Sequence, residues 1–419
     1  MWRLLRTNRD LRSLFGAQVV SYMGDWFAYV AFVGLVQDIK DLAILVSMVY
    51  VAQALPAFLI TPISGPVADR YNRRTVIATV SSLQALAALG LLFVDSVSSL
   101  WLGFLCLCVI SALGAFVGPS SMASLPNLAR DADELATANV LFGSLWGAML
   151  AVGAALGGVV AGVFGRDVAF IANAASFVVA VGLVLLIRRP MQTARDESIA
   201  KTRMRPIADM REAGSYARRD KVILALIASK SLFAMGAGIV GLLAVLVTDE
   251  LGGGDRETGI LIAARGAGVA IGPFLAARFA RGSLATVLLI CGWSGAVFGA
   301  SYVGVALAPW FLMAFVLVLV AHLGGGAQWM LSTYGLQTRA PDHVRGRILA
   351  GDFGIVTLII TVSNLIAGAL ADVVGARPAI AVFAVISIVA TPIYLIGTRA
   401  MRAQLAAQES PPHAPAPAR

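Results

Sequence analysis

The stretch Gly65-Pro66-Val67-Ala68-Asp69-Arg70-Tyr71-Asn72-Arg73-Arg74 interrupts two long apolar runs, 42–64 before it and 75–94 after it. Each run is long enough for an α-helix to cross a ~30 Å hydrocarbon core, which takes roughly 17–25 residues. Segment 65–74 therefore reads as a loop joining two antiparallel membrane helices. Its arginines, Arg70, Arg73 and Arg74, place it in the cytoplasm, because short basic loops are retained on that side. Asn72 falls where a tight turn calls for positive φ, a conformation Asn tolerates better than other non-glycine residues.

Working outward, 59% of the 419 residues are hydrophobic and only 13% are charged, with a mean hydropathy of +0.84. Soluble domains average about 45–50% apolar and about 25% charged residues, so this is a polytopic membrane protein. The isoelectric point near 9.9 does not indicate nucleic-acid binding, because the basic residues sit in short links between apolar runs. With links assigned alternately to the two sides, only Lys40, Arg166, Arg256 and Arg377 fall on one side, and Lys230 and Arg265 fall within runs. The rest of the 32 Lys and Arg lie on the side of 65–74. That asymmetry sets both termini in the cytoplasm and requires an even number of spans. Cys106, Cys108 and Cys291 all fall inside apolar runs and read as small buried residues rather than a disulfide framework. The first apolar run is too long for a cleavable signal peptide and lacks a small-residue cleavage site, so it reads as span one.

Hydropathy predicts twelve spans near 13–37, 42–64, 75–94, 99–119, 138–163, 168–188, 222–248, 258–280, 284–307, 309–330, 346–373 and 377–398. The fold class is all-α integral membrane, in two six-helix halves, 13–188 and 222–398, joined by a charged cytoplasmic linker over 189–221. Residues 1–12 repeat Arg every third position among Trp2, Leu4, Leu5 and Leu11. This amphipathic N-terminus is either an interfacial helix or a set of orienting charges. The Ala/Pro-rich tail 399–419 reads as disordered. The halves echo each other: Leu125…Asp131 after span four returns as Leu336…Asp342 after span ten, and 277–282 holds the place of 65–74. Two six-span repeats around a midplane site are an architecture of secondary transporters.

The 65–74 pattern, Gly-x-x-x-Asp-Arg-x-Asn-Arg-Arg, resembles the loop between helices two and three of the major facilitator superfamily, with Asn72 where that family usually has Gly. The opening Asn8-Arg9-Asp10-Leu11, Gln18 and Ser21-Tyr22-Met23-Gly24-Asp25, together with Gln337 and Arg345-Gly346-Arg347, is similar to its enterobactin-exporter and macrolide-efflux branch. The resemblance implies a monomer in the bacterial inner membrane that exports bulky amphipathic small molecules by alternating access, as a proton antiporter. A lysophospholipid or lipid transporter, or a solute symporter or facilitator, is the alternative on the same fold. Its partners would be cargo, protons and membrane lipids, with no cofactor and no nucleic acid. The resemblance also implies that Asp69 and Arg70, with Gly65, Arg73 and Arg74, gate the protein by holding the halves together in the outward-open state. In span five, Gly153-Ala154 and Gly157-Gly158 stand where many such antiporters carry Gly-Pro then Gly-Gly, and span four has no intramembrane Arg. Both departures bear on proton antiport and leave transport untouched.

Asp25 is the first candidate for chemistry. It lies about 18 Å into span one at 1.5 Å per residue, near the middle of the core. A carboxylate there costs several kcal/mol unless it meets water or a partner, so it reads as a proton-coupling group or as an interhelical hydrogen-bond acceptor. Gln18, Ser21, Tyr22, Asp25 and Tyr29 form one polar stripe on that helix, as a cavity wall would. Lys230 in span seven pairs with Asp25, binds an anionic cargo group or snorkels to an interface, and Arg265 in span eight either binds cargo or snorkels to an interface. His322 is a second proton-coupling candidate, and Gln328, Trp329 and Asn364 are further substrate-binding candidates, with Asp352 in span eleven a weaker one. Trp26, Phe142, Trp146 and Phe233 are candidate aromatic lining. There is no metal-ligand spacing, no Ser/His/Asp or Cys/His set at membrane depth and no Gly-x-x-x-x-Gly-Lys loop, which argues against an enzyme or an ATP-driven pump.

Overall fold

Twelve apolar helices long enough to cross a membrane make up the computed structural model, which describes residues 2–192, 206–280 and 283–409. Spans one to six are Arg9–Ile39, Ala43–Ala68, Arg73–Phe93, Val97–Leu128, Ala132–Phe164 and Arg166–Leu185. Spans seven to twelve are Lys221–Glu250, Asp255–Ala280, Leu284–Ala306, Phe311–Arg339, Val344–Val374 and Ala376–Gly397. The twelve spans read from hydropathy are thus the twelve helices observed. Spans one, two, four, five and ten extend a turn or more beyond the apolar run, because a helix keeps its own backbone bonded past the point where its side chains turn polar.

The halves repeat in their backbone more clearly than in their sequence. The links between spans five and six and between spans eleven and twelve are single glycines, Gly165 and Gly375, at φ +92 and +89 with extended ψ. Only glycine occupies that region without strain. Each is followed closely by an arginine, Arg166 or Arg377, that ties the turn to neighbouring links.

The segment 65–74 differs from its reading as a ten-residue loop. Helix runs from Ala43 to Arg70 through Pro56, Pro62 and Pro66, leaving only Tyr71 and Asn72 as the link. Prolines inside membrane helices are tolerated because neighbouring helices and local adjustments re-satisfy the freed carbonyls. Asn72 has φ −61 rather than positive φ; it is the N-cap of span three, its Oδ1 accepting from the Thr75 N–H at 3.2 Å. An Asn cap satisfies an orphan donor at a helix start, which a two-residue link requires more than it requires a left-handed turn.

The N-terminal segment forms a short helix, Trp2–Thr7, and then joins span one directly. Leu4 and Leu11 are buried, and Asn8 donates to Leu128 O at 3.0 Å and to Glu134 Oε2 at 2.8 Å. It is therefore packed under the first half and not merely laid on a lipid surface. The tail also departs from its reading as disordered over Arg399–Glu409, which is helical, with Leu405 buried. Residues 410–419 and part of the linker, 193–205, lie outside the described residues.

Spans two with eleven and five with eight form the main seam between halves. The end of the bundle carrying the Tyr71–Asn72 link is its basic end. Along spans five and eight the approach is closest toward the other end. A Cβ on Gly158 would stand 2.6 Å from Asp255 O and 2.8 Å from Gly259 Cα, and one on Gly266 2.5 Å from Ala151 N. At Gly147 the nearest atom recedes to 3.9 Å, and at Gly143 nothing lies within 4 Å. Glycines make that crossing possible, and the two helices splay apart toward the basic end.

Candidate functional site

The seam is sealed by polar groups at the end opposite the basic one. Arg166, opening span six, donates to Asp255 at the start of span eight at 2.7 and 3.1 Å and to Asp38 at 2.6 Å. Gln37 donates to Thr248 Oγ1 at 2.7 Å. Asp372, near the end of span eleven, accepts from the first backbone N–H groups of span two, Ala43 at 2.6 Å and Ile44 at 3.2 Å. A carboxylate at a helix N-terminus satisfies orphan donors and meets the positive end of the helix dipole. We expect Asp372→Ala to weaken this closure by about 1 kcal/mol, a shift of roughly fivefold toward opening, read as distance distributions between spin labels on spans two and eleven at that end.

Just inside the seal, both halves contribute to one cluster around Arg265 of span eight. Its guanidinium lies 5.8 Å from the Tyr50 ring centroid and within electrostatic reach of Tyr29, Tyr302 and His322. The Arg265 Nε is sealed from solvent without a hydrogen-bond partner, and so is the hydroxyl of Tyr302. His322 is fully enclosed: its Nδ1 donates to Val318 O at 3.0 Å, which leaves Nε2 with the lone pair, and its ring packs against Phe298 and Tyr302. A Cβ on Gly268 would meet the His322 Cβ at 2.8 Å, so the absence of a side chain one turn past Arg265 lets span ten press against span eight. Arg265 does not snorkel; it points into the seam.

Deeper toward the basic end, span seven carries the other basic residue that falls inside an apolar run. By sequence Lys230 could meet either Asp25 or an anionic ligand. The structure pairs it within its own half: its Nζ donates to Asp352 Oδ2 at 2.5 Å and to Thr333 Oγ1 at 3.0 Å, with the Lys230 and Asp352 side chains 2% and 3% exposed. Trp329 covers the ammonium at 4.9 Å and meets Phe353 edge-on, and Phe353 in turn meets Phe58 of span two. The pair thus lies behind an aromatic contact between the halves. Two opposite charges in separate spans of one half are the signal for it, although hydropathy offers no means of choosing which charges meet.

The span-one stripe divides. Gln18, Ser21 and Tyr22 line a small cavity within the first half, with Ser81 and Ser121, while Tyr29 turns to the Arg265 cluster. Asp25 is half-buried, and its Oδ1 has no hydrogen-bond partner. Asn364 serves the backbone, its Oδ1 accepting from Gly241 N–H at 2.9 Å and its Nδ2 donating to Ile360 O. With Ser363, which accepts from Gly238 N–H at 3.0 Å, it repairs the stretch Ala237–Leu242 where span seven tightens out of α geometry. Gln328 is likewise committed, donating to Ser229 at 3.0 Å. Trp26 packs on Tyr29 and Trp146, Phe142 on Phe15, and Phe233 on Phe298, so the aromatics build several contacts and not one pocket.

At the gating segment, Arg73 donates to Ala68 O, Ala123 O and Met191 O, and Arg74 to Arg189 O. These bonds stay within the first half and the linker residues that directly follow it. Gly65 has nothing within 4 Å of where a Cβ would be, Arg70 is exposed, and the side chain of Asp69 lies outside the described residues. Sequence reasoning does not single out Tyr50, Tyr302, Arg166 or Asp372, since tyrosines in spans and charges in links or at the ends of apolar runs are common.

A family model described as transmembrane secretion effector matches residues 4–418. The chain is similar to the uncharacterized MFS-type transporter YfiS of Bacillus subtilis, 25% identical over 410 residues covering 94% of this chain and 95% of that protein. It is similar also to the multidrug efflux pump Tap of Mycolicibacterium fortuitum, 25% identical over 403 residues with 92% and 93% covered. The Tap protein of Mycobacterium tuberculosis is 26% identical over 416 residues, with 92% of each chain covered. Among solved structures, a bacterial homolog of the human lysosomal transporter Spinster, inward-facing and unoccupied, superposes with a TM-score of 0.74 at 16% identity over 97% of this chain and 99% of that one. A POT family transporter in complex with a thioalcohol-conjugated peptide gives 0.74 at 12% identity, covering 94% and 96%. With twelve helices in two repeats, a polar seal at one end and charged groups between the halves, the chain belongs to the transmembrane secretion effector family of the major facilitator superfamily and is a multi-pass membrane transporter of small molecules, not an enzyme.

Proposed function

We propose that this protein exports amphipathic small molecules across a bacterial cytoplasmic membrane by alternating access, in exchange for protons. The observation that carries the reading is the seam itself: bonded and glycine-tight at one end, splayed at the other, with Arg265 and the tyrosines at the closed end of the gap. The basic end is the cytoplasmic one by charge asymmetry, so the state described here faces inward. Cargo enters from the cytoplasm or inner leaflet, settles against the aromatic wall, and leaves when the seal opens and the 65–74 segment closes. Two relatives named as multidrug efflux pumps support the direction.

Asp25 is the proposed proton carrier. It is the acidic group in the first half that lies at membrane depth with an unsatisfied oxygen, and neutralisation by a proton removes the cost of keeping it there. In proteoliposomes with a pH-sensitive dye inside, addition of lipophilic cations, macrolides, siderophores or lysolipids should move protons as cargo moves. Asp25→Asn should abolish accumulation against a gradient while downhill movement and folding persist. Cargo movement with no proton movement in the wild type would exchange the antiporter for a facilitator or lipid transporter. A normal pH dependence in Asp25→Asn would remove Asp25 from the coupling step.

A further inference from the structure

We propose that the closed end of the gap is an anion subsite centred on Arg265, so that the cargo class is an aromatic or amphipathic molecule bearing a carboxylate or comparable oxyanion; this deepens the exporter reading and rests on it. Charge at membrane depth must be compensated. Most of the charges there have a remedy within the protein. Lys230 and Asp352 have each other at 2.5 Å. Asp25 can be neutralised by a proton. Arg265 has neither remedy: guanidinium does not deprotonate in proteins, and among the described residues it has no ion-pair partner, while its Nε is sealed and unbonded. A permanent cation held at that depth without an anion is costly and marks a ligand pathway.

The surroundings select what the anion is attached to. The guanidinium lies over the ring of Tyr50, which like Tyr29 comes from the first half, and Tyr302 and His322 come from the second. The Tyr302 hydroxyl is an unpartnered donor, and a guanidinium presents paired N–H groups that match the two oxygens of a carboxylate. Aromatic rings on both sides accept a flat apolar body. Because the residues come from both halves, opening the seal would separate Arg265 and Tyr302 from Tyr29 and Tyr50, which releases a ligand that bridges them.

The test uses one scaffold with three heads: pyrenebutyrate, its primary amide and pyrenebutylamine, titrated by fluorescence into the full-length protein in phosphatidylcholine nanodiscs. The carboxylate is expected to bind at least about tenfold tighter than the amide or the amine, the value of one or two charge-assisted hydrogen bonds. Arg265→Gln should erase that preference, and Arg265→Lys, which keeps the charge without the fork, should retain part of it and show that the variants fold. Repeating the titration with phosphatidylglycerol in the nanodisc separates sources: Arg265-dependent competition makes an anionic lipid headgroup the natural occupant, and no competition makes it a soluble anion. An unchanged carboxylate preference in Arg265→Gln, or tighter binding of the amine by wild type, overturns the subsite. Binding with the expected preference but no flux of pyrenebutyrate or of any cargo in proteoliposomes would leave the subsite standing and fell the exporter reading instead.

Discussion

Lys230→Met and Asp352→Leu are each expected to cost about 3–5 kcal/mol of stability, because each leaves one charge buried where water does not reach. The pair is almost wholly enclosed, Lys230 has one further hydrogen bond to Thr333, and Asp352 Oδ1 has none, so neither partner has a substitute for the other. The double variant Lys230→Met/Asp352→Leu removes both charges and should recover most of the loss, since a well-packed apolar pair is often as stable as a buried ion pair. The measurement is thermal unfolding in detergent for the four proteins of the cycle, with a coupling energy of several kcal/mol expected between the sites. Near-additive single and double effects would mean that the ion pair is not the main partner of either residue. Flux measured on the double variant asks a second question. If it transports normally, the pair is a structural pin for spans seven and eleven. If it folds but does not transport, the aromatic link from Trp329 through Phe353 to Phe58 transmits the pair's state to span two.

Gly158→Leu should abolish net transport while the protein still folds. A Cβ there would already press on Asp255 O at 2.6 Å and Gly259 Cα at 2.8 Å, backbone atoms that cannot swing aside. Spans five and eight then cannot close at the Arg166 end, and the protein is left in states open on that side. The check is labelling of a single cysteine at Tyr29, in a background without Cys106, Cys108 and Cys291, by a membrane-impermeant thiol reagent applied from that side. Labelling should rise sharply in Gly158→Leu. Gly143→Leu, with nothing within 4 Å, should leave closure at that end intact. Unchanged labelling and transport in Gly158→Leu would show that the seam does not need this close approach.

Much of the architecture is legible in the residues themselves. Membrane spans are the element that sequence specifies most directly, because a backbone in lipid must bond to itself and a side chain there must be apolar. That is why the twelve spans, their two sets of six and the basic side of the bundle can be read from hydropathy and charge. The same rule makes Asp25, Lys230, Arg265 and His322 conspicuous: ionisable groups at depth are rare, and each must be accounted for. The 65–74 segment marks the family by spacing and charge, although its conformation is helical up to Arg70, because charged residues in a helix end beyond the apolar run look like a loop.

What the residues alone do not determine is which groups meet. Lys230 has two acids within reach in principle, and its choice of Asp352 depends on spans seven and eleven of one half packing side by side. Asn364 reads either as a substrate-binding residue or as an interhelical hydrogen-bonding one, and it is the packing that decides: its amide mends the tightened turn of span seven at Gly241. Asp372 stands at the very end of an apolar run, where a charge is unremarkable, yet its carboxylate stands over the first turn of span two, 329 positions away. Composition and periodicity determine which segments enter the membrane and which end of the bundle is basic. The pairings arise only when the spans are packed against one another, within one half for Lys230 with Asp352 and between halves for Arg265 with Tyr50, because such contacts act over a few ångströms between residues that the sequence keeps far apart.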